Sequence, residues 1–267
     1  MERYVHGYST EEAMRLKDQA ATLAHLLHGD LRYPEGATVL EAGCGTGCQT
    51  VFLAANNPAT QFVSTDVSPS SLATARQAVL ARGLTNVQLR QGDIFDLPAG
   101  QFFDHIFVCF VLEHLADPAG ALRCLRQVLK KDGTITVIEG DHGSFYCHPE
   151  TLEARRAVDC LVRLQARLGG DALIGRRLYP LLVEAGFRQP EVEPRPVYVD
   201  GSRPQLIEGF SRNTFIAMVR GVREQALAHG LIDAPTWDQG IRDLENAARP
   251  DGAFCYTFFK AVARGAE

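Results

Sequence analysis

Three glycines at alternate positions, Gly43, Gly45 and Gly47, form the stretch best suited to bind a ligand. They follow a short apolar run, ending in Val39 and Leu40, that is typical of a buried strand, and the Ala-rich segment 50–55 predicts a helix. Glycine tolerates positive φ and has no Cβ, so a bound molecule can approach the backbone of such a turn. The helix would direct its N-terminus at the same point. This arrangement is common to nucleotide-binding folds.

The spacing of the glycines separates two kinds of nucleotide site. A dinucleotide fingerprint has its third glycine three positions after the second, whereas Gly47 follows Gly45 by only two. The acidic residue Glu41 before the first glycine is a second difference. An NAD-type oxidoreductase is therefore the less favoured interpretation.

An acidic residue ends the next short apolar strand. Asp66 follows the strand predicted at 61–65, where a carboxylate can accept hydrogen bonds from both hydroxyls of a ribose. The alternative is a second capping acid. Ser68 and Pro69 predict the N-cap and first position of the following helix.

The sequence E-A-G-C-G-T-G at 41–47 resembles the first motif of the class I S-adenosylmethionine-dependent methyltransferases (type 11/25, with a UbiE-like core). The resemblance covers 36–140 and, less closely, 180–198 and 252–263. It implies S-adenosylmethionine as cofactor and S-adenosylhomocysteine as product. In that family an Asp after the third strand meets the adenine amino group and the next apolar residue packs on the ring, roles that fall to Asp93 and Ile94. The full set of implied cofactor contacts is Tyr8, Glu41, Gly43, Cys44, Gly45, Gly47, Gln49, Asp66, Val67, Asp93, Ile94 and Phe110.

Candidates for acceptor binding and catalysis follow two later strands. The run 103–111 predicts a central strand, and ligands of open α/β sheets bind outside the carboxyl ends of strands. The strand predicted at 134–138 is followed by a loop, E-G-D-H-G at 139–143. His142 in this loop is the candidate catalytic base, since imidazole has a pKa suited to proton removal near neutrality, although loops of this composition are often only turns. His114 has the alternative of a helix-start residue satisfied by backbone. The candidate substrate-binding residues are Glu113, His114, Asp141, Tyr146 and Tyr179.

A metal site is not expected. Related ubiquinone-pathway O-methyltransferases have an additional Glu three positions before the equivalent of Glu113, where this chain has Phe110. Glu113 and His114 alone are too few ligands for the octahedral shell of Mg²⁺. The seven cysteines include no C-x-x-C pair, so neither a zinc site nor a disulfide framework is indicated, and a reduced, cytoplasmic location is the simpler interpretation.

Composition limits the partners. The chain has 267 residues, 46% hydrophobic and 22% charged, with a net charge of −5. This charge gives no reason to expect a nucleic-acid partner, and no run approaches the ~18 apolar residues that span a membrane. A small-molecule acceptor and a monomer or homodimer are expected.

The expected fold is α/β: a Rossmann-like, seven-stranded, mostly parallel, doubly wound sheet with the last strand antiparallel, plus helical cap insertions. A capping box at Ser9 and Glu12 predicts a helix over 10–28. Later helices are predicted at 122–129 (closed by a turn at 130–133), 180–187, 202–229 and 235–248, and strands at 86–90, 134–138, 191–199 (irregular or edge) and 252–263. The predicted parts are an N-terminal lid (1–35), a cofactor-binding core (36–143, continued at 179–199 and 251–267) and two helical insertions (144–178 and 200–250).

Function is expected to be methyl transfer from S-adenosylmethionine to an O, N or C atom of a small organic acceptor. Two alternatives stay open, a methyltransferase acting on a peptide or protein and a SAM-binding sensor without turnover. The cap is where the acceptor would be chosen, and its sequence does not identify that acceptor.

Overall fold

The computed structural model describes residues 22–98 and 100–265. Tyr8, the Ser9–Glu12 capping box and most of the predicted lid therefore lie outside the described residues. Among the described helices, none is long and apolar enough to cross a membrane.

Seven strands form one sheet. In chain order they are β1 (Thr38–Ala42), β2 (Gln61–Asp66), β3 (Val87–Gln91), β4 (Phe103–Cys109), β5 (Leu129–His148), β6 (Arg188–Asp200) and β7 (Ala253–Arg264). Their order in the sheet is β3-β2-β1-β4-β5-β7-β6, mostly parallel with the last strand antiparallel, as predicted. The order reverses direction between β1 and β4, and in such sheets this switch point is where ligands bind.

The helices lie between and after the strands. They are α1 (22–28), α2 (Cys48–Asn56), α3 (Pro69–Ala81), α4 (Pro118–Gln127), α5 (Leu152–Arg167), α6 (Leu178–Glu184), α7 (Pro204–Leu206), α8 (Ala217–Arg220), α9 (Arg223–Ala228) and α10 (Ala234–Ala247). A π-helix, Ile207–Ile216, joins α7 to α8, and short 3-10 turns occur at Ile94–Asp96, Leu112–His114 and Ile174–Arg177.

The central strands are apolar because helices cover both faces. Val39, Leu40, Ile106 and Val108 are all 0 to 1% exposed. Burying an aliphatic side chain of this kind contributes about 1.5–3 kcal/mol each, so β1 and β4 form a rigid platform for the loops at their ends.

The start of α3 confirms the predicted cap. Ser68 lies at the N-cap, where its hydroxyl accepts a hydrogen bond from the N–H of Ser71, and Pro69 takes the first helical position. The helix predicted at 122–129 instead spans Pro118–Gln127, because Asp117 caps it earlier through the N–H of Gly120 (2.7 Å).

Strand β5 corrects two predictions. The segment 130–133, predicted as a turn, lies within the strand, where Asp132 is in the left-handed region (φ 64°) and the pairing with β4 shifts register. The strand also continues through the predicted loop 139–143 and into the first helical insertion as far as His148. Pairing with β7 extends it, and the N–H of Thr257 donates to the Ser144 hydroxyl (3.0 Å).

The helix predicted from Ser202 is also different. Both the N–H and the hydroxyl of Ser202 donate to Oδ1 of Asp200 (2.9 and 2.6 Å), so Ser202 caps no helix. Arg203 is the N-cap and makes no side-chain capping bond. The predicted edge strand is confirmed, since β6, which contains three prolines, ends the sheet.

The chain divides into two compact units. Of the described residues, one contains 24–98, 100–139, 175–193 and 259–265, and is called the glycine-loop unit here. The other contains 22–23, 140–174 and 194–258, and is called the aromatic unit. In the aromatic unit, Phe210 and Phe215 of the π-helix pack with Phe145, Phe254 and Tyr256 at centroid distances of 4.8 to 6.0 Å.

Candidate functional site

The loop between β1 and α2 is held by backbone hydrogen bonds, two of them to strand β2. The N–H groups of Gly43 and Cys44 both donate to the carbonyl of Thr65 (2.8 and 2.9 Å), and that of Gly47 donates to the carbonyl of Cys44 (2.9 Å). These three donors already have acceptors, so they hold the loop in place and are not free to bind a ligand.

Gly43 and Gly45 differ in what lies next to the position of a missing side chain. A Cβ on Gly43 would lie 2.5 Å from a methyl group of Val111, and its φ is +76°. At Gly45 (φ +52°) a Cβ would meet no protein atom within 4 Å. The loop therefore packs on one side and faces open space at Gly45, which suits a ligand lying against the backbone.

Asp66 ties the loop to the end of β2. Its Oδ2 accepts the N–H of Gly45 (2.8 Å) and its Oδ1 accepts the N–H of Ser68 (2.9 Å). A carboxylate oxygen has two lone pairs, so both oxygens can still accept a further hydrogen bond. The structure shows the capping role, because Asp66 binds the helix start, and the ribose role stays a prediction that these free lone pairs allow.

Glu41 is directed into the protein. It is buried, and its Oε2 accepts hydrogen bonds from the hydroxyls of Thr50 (2.7 Å) and Ser64 (2.6 Å). Burial raises the pKa of this carboxyl. The side chain joins β1 to α2 and β2, so it positions the loop.

Other predicted cofactor residues differ in exposure. Cys44 is buried, and burial raises the pKa of its thiol. Gln49 is partly buried, with its Nε2 4.0 Å from Sγ of Cys109. Burial also raises the pKa of Cys109, so both buried thiols are unreactive.

The ends of β2 and β3 present a polar and an apolar group. Asp93 is exposed and caps the turn Ile94–Asp96 through the N–H of Phe95 (3.0 Å), while Ile94 is buried. Val67 is 55% exposed. Ile94, the residue predicted to pack on the adenine ring, is thus buried, whereas Val67 and Asp93 are exposed.

The end of β4 carries Phe110, Glu113 and His114. Phe110 is one of three described non-glycine residues with positive φ (58°). Oε1 of Glu113 lies 3.5 Å from Nε2 of His114, and both side chains are mostly buried. The Phe110 position, Glu113 and His114 therefore lie together on one short turn.

Sequence reasoning missed Glu139 at this turn. It is fully buried, and its Oε1 accepts the N–H groups of Val111 (3.0 Å) and Leu112 (2.7 Å). The available signal was an acidic residue directly after the apolar run 134–138.

His142 and Asp141 belong to the aromatic unit. His142 is buried, and its Nδ1 lies 2.8 Å from the hydroxyl of Tyr256. A Cβ on Gly140 would collide with that hydroxyl, so the glycine makes room for the pair. Asp141 accepts the N–H of Gly143 (3.0 Å).

The two tyrosines predicted to bind the substrate fall in different units. Tyr146 is in the aromatic unit and 50% exposed, whereas Tyr179 is in the glycine-loop unit and 55% exposed. Across residues 22–98 and 100–265, no group of three or more His, Cys, Asp or Glu side chains could hold a metal ion.

Comparison with known proteins finds a family match that includes the glycine loop. Residues 40–135 match the family described as a methyltransferase domain. The chain is 33% identical over 194 residues to an uncharacterized 37.1 kDa protein in transposon Tn4556 of Streptomyces fradiae, covering 70% of this chain and 54% of that protein. It is 26% identical to (S)-coclaurine N-methyltransferase of Papaver somniferum, covering 55% and 42%. The chain thus spans about half the length of these relatives.

A solved structure with the same fold is phosphoethanolamine N-methyltransferase 2 of Haemonchus contortus, determined with phosphomonomethylethanolamine and S-adenosylhomocysteine. The TM-score is 0.57 at 17% identity, over 92% of this chain and 53% of that one. At this level of identity the likeness concerns the fold.

Proposed function

Since residues 40–135 are a methyltransferase domain of the class I S-adenosylmethionine-dependent family, we propose that the protein transfers a methyl group from S-adenosylmethionine to a small organic acceptor. S-adenosylhomocysteine is the second product. The observation that carries this proposal is the loop after β1, which is open at Gly45 and bound to Asp66 at the switch point of the sheet.

The residues of the glycine-loop unit fit the cofactor. Asp66 would accept the ribose hydroxyls, Asp93 would accept the adenine amino group, and Val67 offers an exposed apolar surface for the ring. Gly45 leaves space for the ligand beside the backbone. Glu41 would act indirectly, by fixing α2 through Thr50.

When bound, S-adenosylmethionine supplies a methyl group already activated on a positively charged sulfur. The protein therefore has mainly to hold the acceptor in line and exclude water. In favourable intramolecular cases such positioning supplies about 7–11 kcal/mol of the barrier.

Glu113 and His114 are the proposed acceptor-side groups. They lie on the turn after β4, and their side chains are 12% and 22% exposed. A carboxylate next to an imidazole can orient an acceptor that carries a proton and can take that proton. The name of one sequence relative, (S)-coclaurine N-methyltransferase, supports an amine as the first acceptor class to test.

His142 is retained as a candidate base on different grounds. Its hydrogen bond to Tyr256 fixes the ring, as a base requires. It is needed only if the acceptor atom carries a proton. The alternatives of a peptide or protein acceptor, a sensor without turnover and an NAD-type enzyme predict different assay results.

Two measurements test the proposal. Calorimetric titration should show binding of S-adenosylmethionine and S-adenosylhomocysteine but not of NAD⁺. Incubation with methyl-labelled S-adenosylmethionine and a panel of amines, phenols and carboxylic acids should then release S-adenosylhomocysteine with at least one acceptor. Binding without turnover, even with peptides, would identify a sensor, and binding of NAD⁺ alone would reject the proposal.

A further inference from the structure

The turn after β4 is strained at its first residue. Phe110 is in the left-handed region (φ 58°) although it has a bulky side chain, and its N–H donates to the carbonyl of Ile138 (3.0 Å). Such a conformation costs a non-glycine residue about 1–3 kcal/mol. It persists only where neighbouring groups hold it, so something must fix the peptide groups that follow Phe110.

Glu139 provides that restraint. The N–H groups of Val111 and Leu112 both point at its Oε1, at 3.0 and 2.7 Å, and the side chain is 0% exposed. These two N–H groups stand at the start of the 3-10 turn Leu112–His114. A carboxyl group at the start of a turn satisfies donors that have no partner within the turn itself.

The second oxygen of Glu139 has a different environment. Its Oε2 is buried and has no hydrogen-bond partner. Burial, and then the neighbouring charge of Glu113, raise the pKa of the Glu139 carboxyl well above its usual range. A buried polar atom left without a partner costs about 1–3 kcal/mol, so stability alone does not explain a glutamate here.

We propose that Glu139 is a positioning residue, which holds the peptide groups of Val111 and Leu112 so that Glu113 and His114 are presented to the acceptor. The inference rests on the proposed function for the acceptor and on the hydrogen bonds above for the restraint. Glu139 need not touch the reacting atoms. It acts through the turn that carries the two side chains.

Two substitutions of Glu139 test the length of its side chain and its carboxyl group separately. Glu139→Gln keeps the length of the side chain and an oxygen that can accept both N–H groups. Glu139→Asp keeps the carboxyl but is one methylene shorter, so it cannot reach both. Amide hydrogen exchange at Val111 and Leu112 should stay within about threefold of the wild-type rate in E139Q and rise at least tenfold in E139D.

Ligand binding and turnover then distinguish a positioning role from a structural one. The Kd for S-adenosylhomocysteine should stay within threefold of wild type in both variants, because the glycine loop and Asp66 are unchanged. With an acceptor identified by the panel, E139D should lower kcat at least tenfold with little change in KM for S-adenosylmethionine, and E139Q should restore most of it.

Each remaining result contradicts the inference. Unchanged exchange in E139D would show that Glu139 does not hold the turn. Faster exchange with unchanged kcat would show that it is structural only, as would loss of S-adenosylhomocysteine binding and of the folded state in both variants. If the wild type itself bound no S-adenosylhomocysteine, the proposed function would fail, while the exchange data would still report on the restraint.

Discussion

At the scale of single residues, Asp66 connects the loop, the helix start and the proposed ligand. Asp66→Ala should lower the affinity for S-adenosylmethionine at least tenfold, because hydrogen bonds to a charged group contribute about 1.5–3 kcal/mol each. The bonds to Gly45 and Ser68 would be lost with it. Calorimetry would measure the affinity and circular dichroism would show whether the fold is kept.

Two variants control this experiment. Asp66→Asn keeps one acceptor oxygen and should lose less affinity than Asp66→Ala. Asp96→Ala removes an exposed carboxylate near the ends of the same strands and should bind as wild type. Wild-type affinity in Asp66→Ala would mean that the ribose contact lies elsewhere.

His28 should make stability depend on pH. Its ring is 1% exposed and packs on Phe52 and Phe107, with centroids at 6.0 and 5.5 Å, and neither ring nitrogen has a hydrogen-bond partner. Burial, and then the charge of Lys260, lower its pKa from 6.5 to about 4, while Asp30 and, less strongly, the nearby side chain of Gln49 oppose the shift.

The sign follows from which state binds the proton. Between pH 6.5 and 4 the unfolded chain protonates His28 and the folded protein does not, so stability is full above pH 6.5 and is lost as the pH falls. From pH 7 to pH 5 this residue should lower the free energy of unfolding by about 2 kcal/mol. Urea unfolding of wild type and His28→Phe would measure it.

Between pH 7 and pH 8 the free energy of unfolding should change by nearly the same amount in wild type and His28→Phe. In this range His28 is mostly neutral in both the folded and the unfolded chain. If His28→Phe lost as much stability as wild type between pH 7 and pH 5, the acid sensitivity would come from other groups.

Individual residues differ in how far their roles can be predicted from the sequence. The glycine turn after β1 and the end of β2 at Asp66 were predictable because they depend on local spacing. Glu139 and His28 were not, because their partners are 27 and 79 positions away, at Leu112 and Phe107. Glu41 was predicted to contact the cofactor, whereas its position in the fold directs Oε2 to Thr50 and Ser64.

At the scale of elements, α5 and α10 of the aromatic unit approach each other at a glycine. A Cβ on Gly240 would collide with the backbone carbonyl of Glu153 and lie 3.1 Å from the Cβ of Ala157. Gly240→Ala should lower the free energy of unfolding by about 1–3 kcal/mol despite the better helix propensity of alanine, since backbone atoms cannot rotate away.

Gly221→Ala is the matched control. Gly221 is exposed at the end of α8 with negative φ, and a Cβ there would meet its nearest atom at 3.5 Å. Chemical denaturation should find it unchanged or slightly more stable. A Gly240→Ala protein as stable as wild type would show that the two helices can separate at no cost.

Elements were predictable where one local signal decided them. Ser68 and Pro69 fixed the start of α3, and the prolines of 188–200 identified an edge strand. The full length of β5 was not predictable, because its outer half depends on pairing with β7, more than a hundred positions later. The π-helix was missed because its wider turn is supported by aromatic packing of Phe210 and Phe215, and not by local propensity.

At the scale of the whole molecule, the units and the predicted parts divide the chain differently. The sequence suggested that an insertion begins at residue 144, whereas the structure divides β5 at 139/140, directly after Glu139. Strand β5 therefore belongs to both units, and so do β6 and β7.

Hydrogen exchange with and without S-adenosylhomocysteine tests whether the units respond together. A ligand at 100 times its Kd stabilises the state that binds it by about 2.7 kcal/mol, so amides that exchange only when that state opens slow about a hundredfold. Residues 41–50, 66–68 and 93–94 should gain protection first. The sequence further predicts that 144–178 and the N-terminal residues 1–12 act as a lid and gain protection as well.

The Asp66→Ala protein at the same ligand concentration is the control, since it should show little protection anywhere. Protection confined to the loop and strand ends would reject the lid, because residues 144–178 would then open independently of the ligand. In that case the aromatic unit would more reasonably serve a second copy of the chain or a larger, peptide-like substrate. The acceptor panel should then be extended to peptides, whose methylation would replace the small-molecule acceptor proposed above.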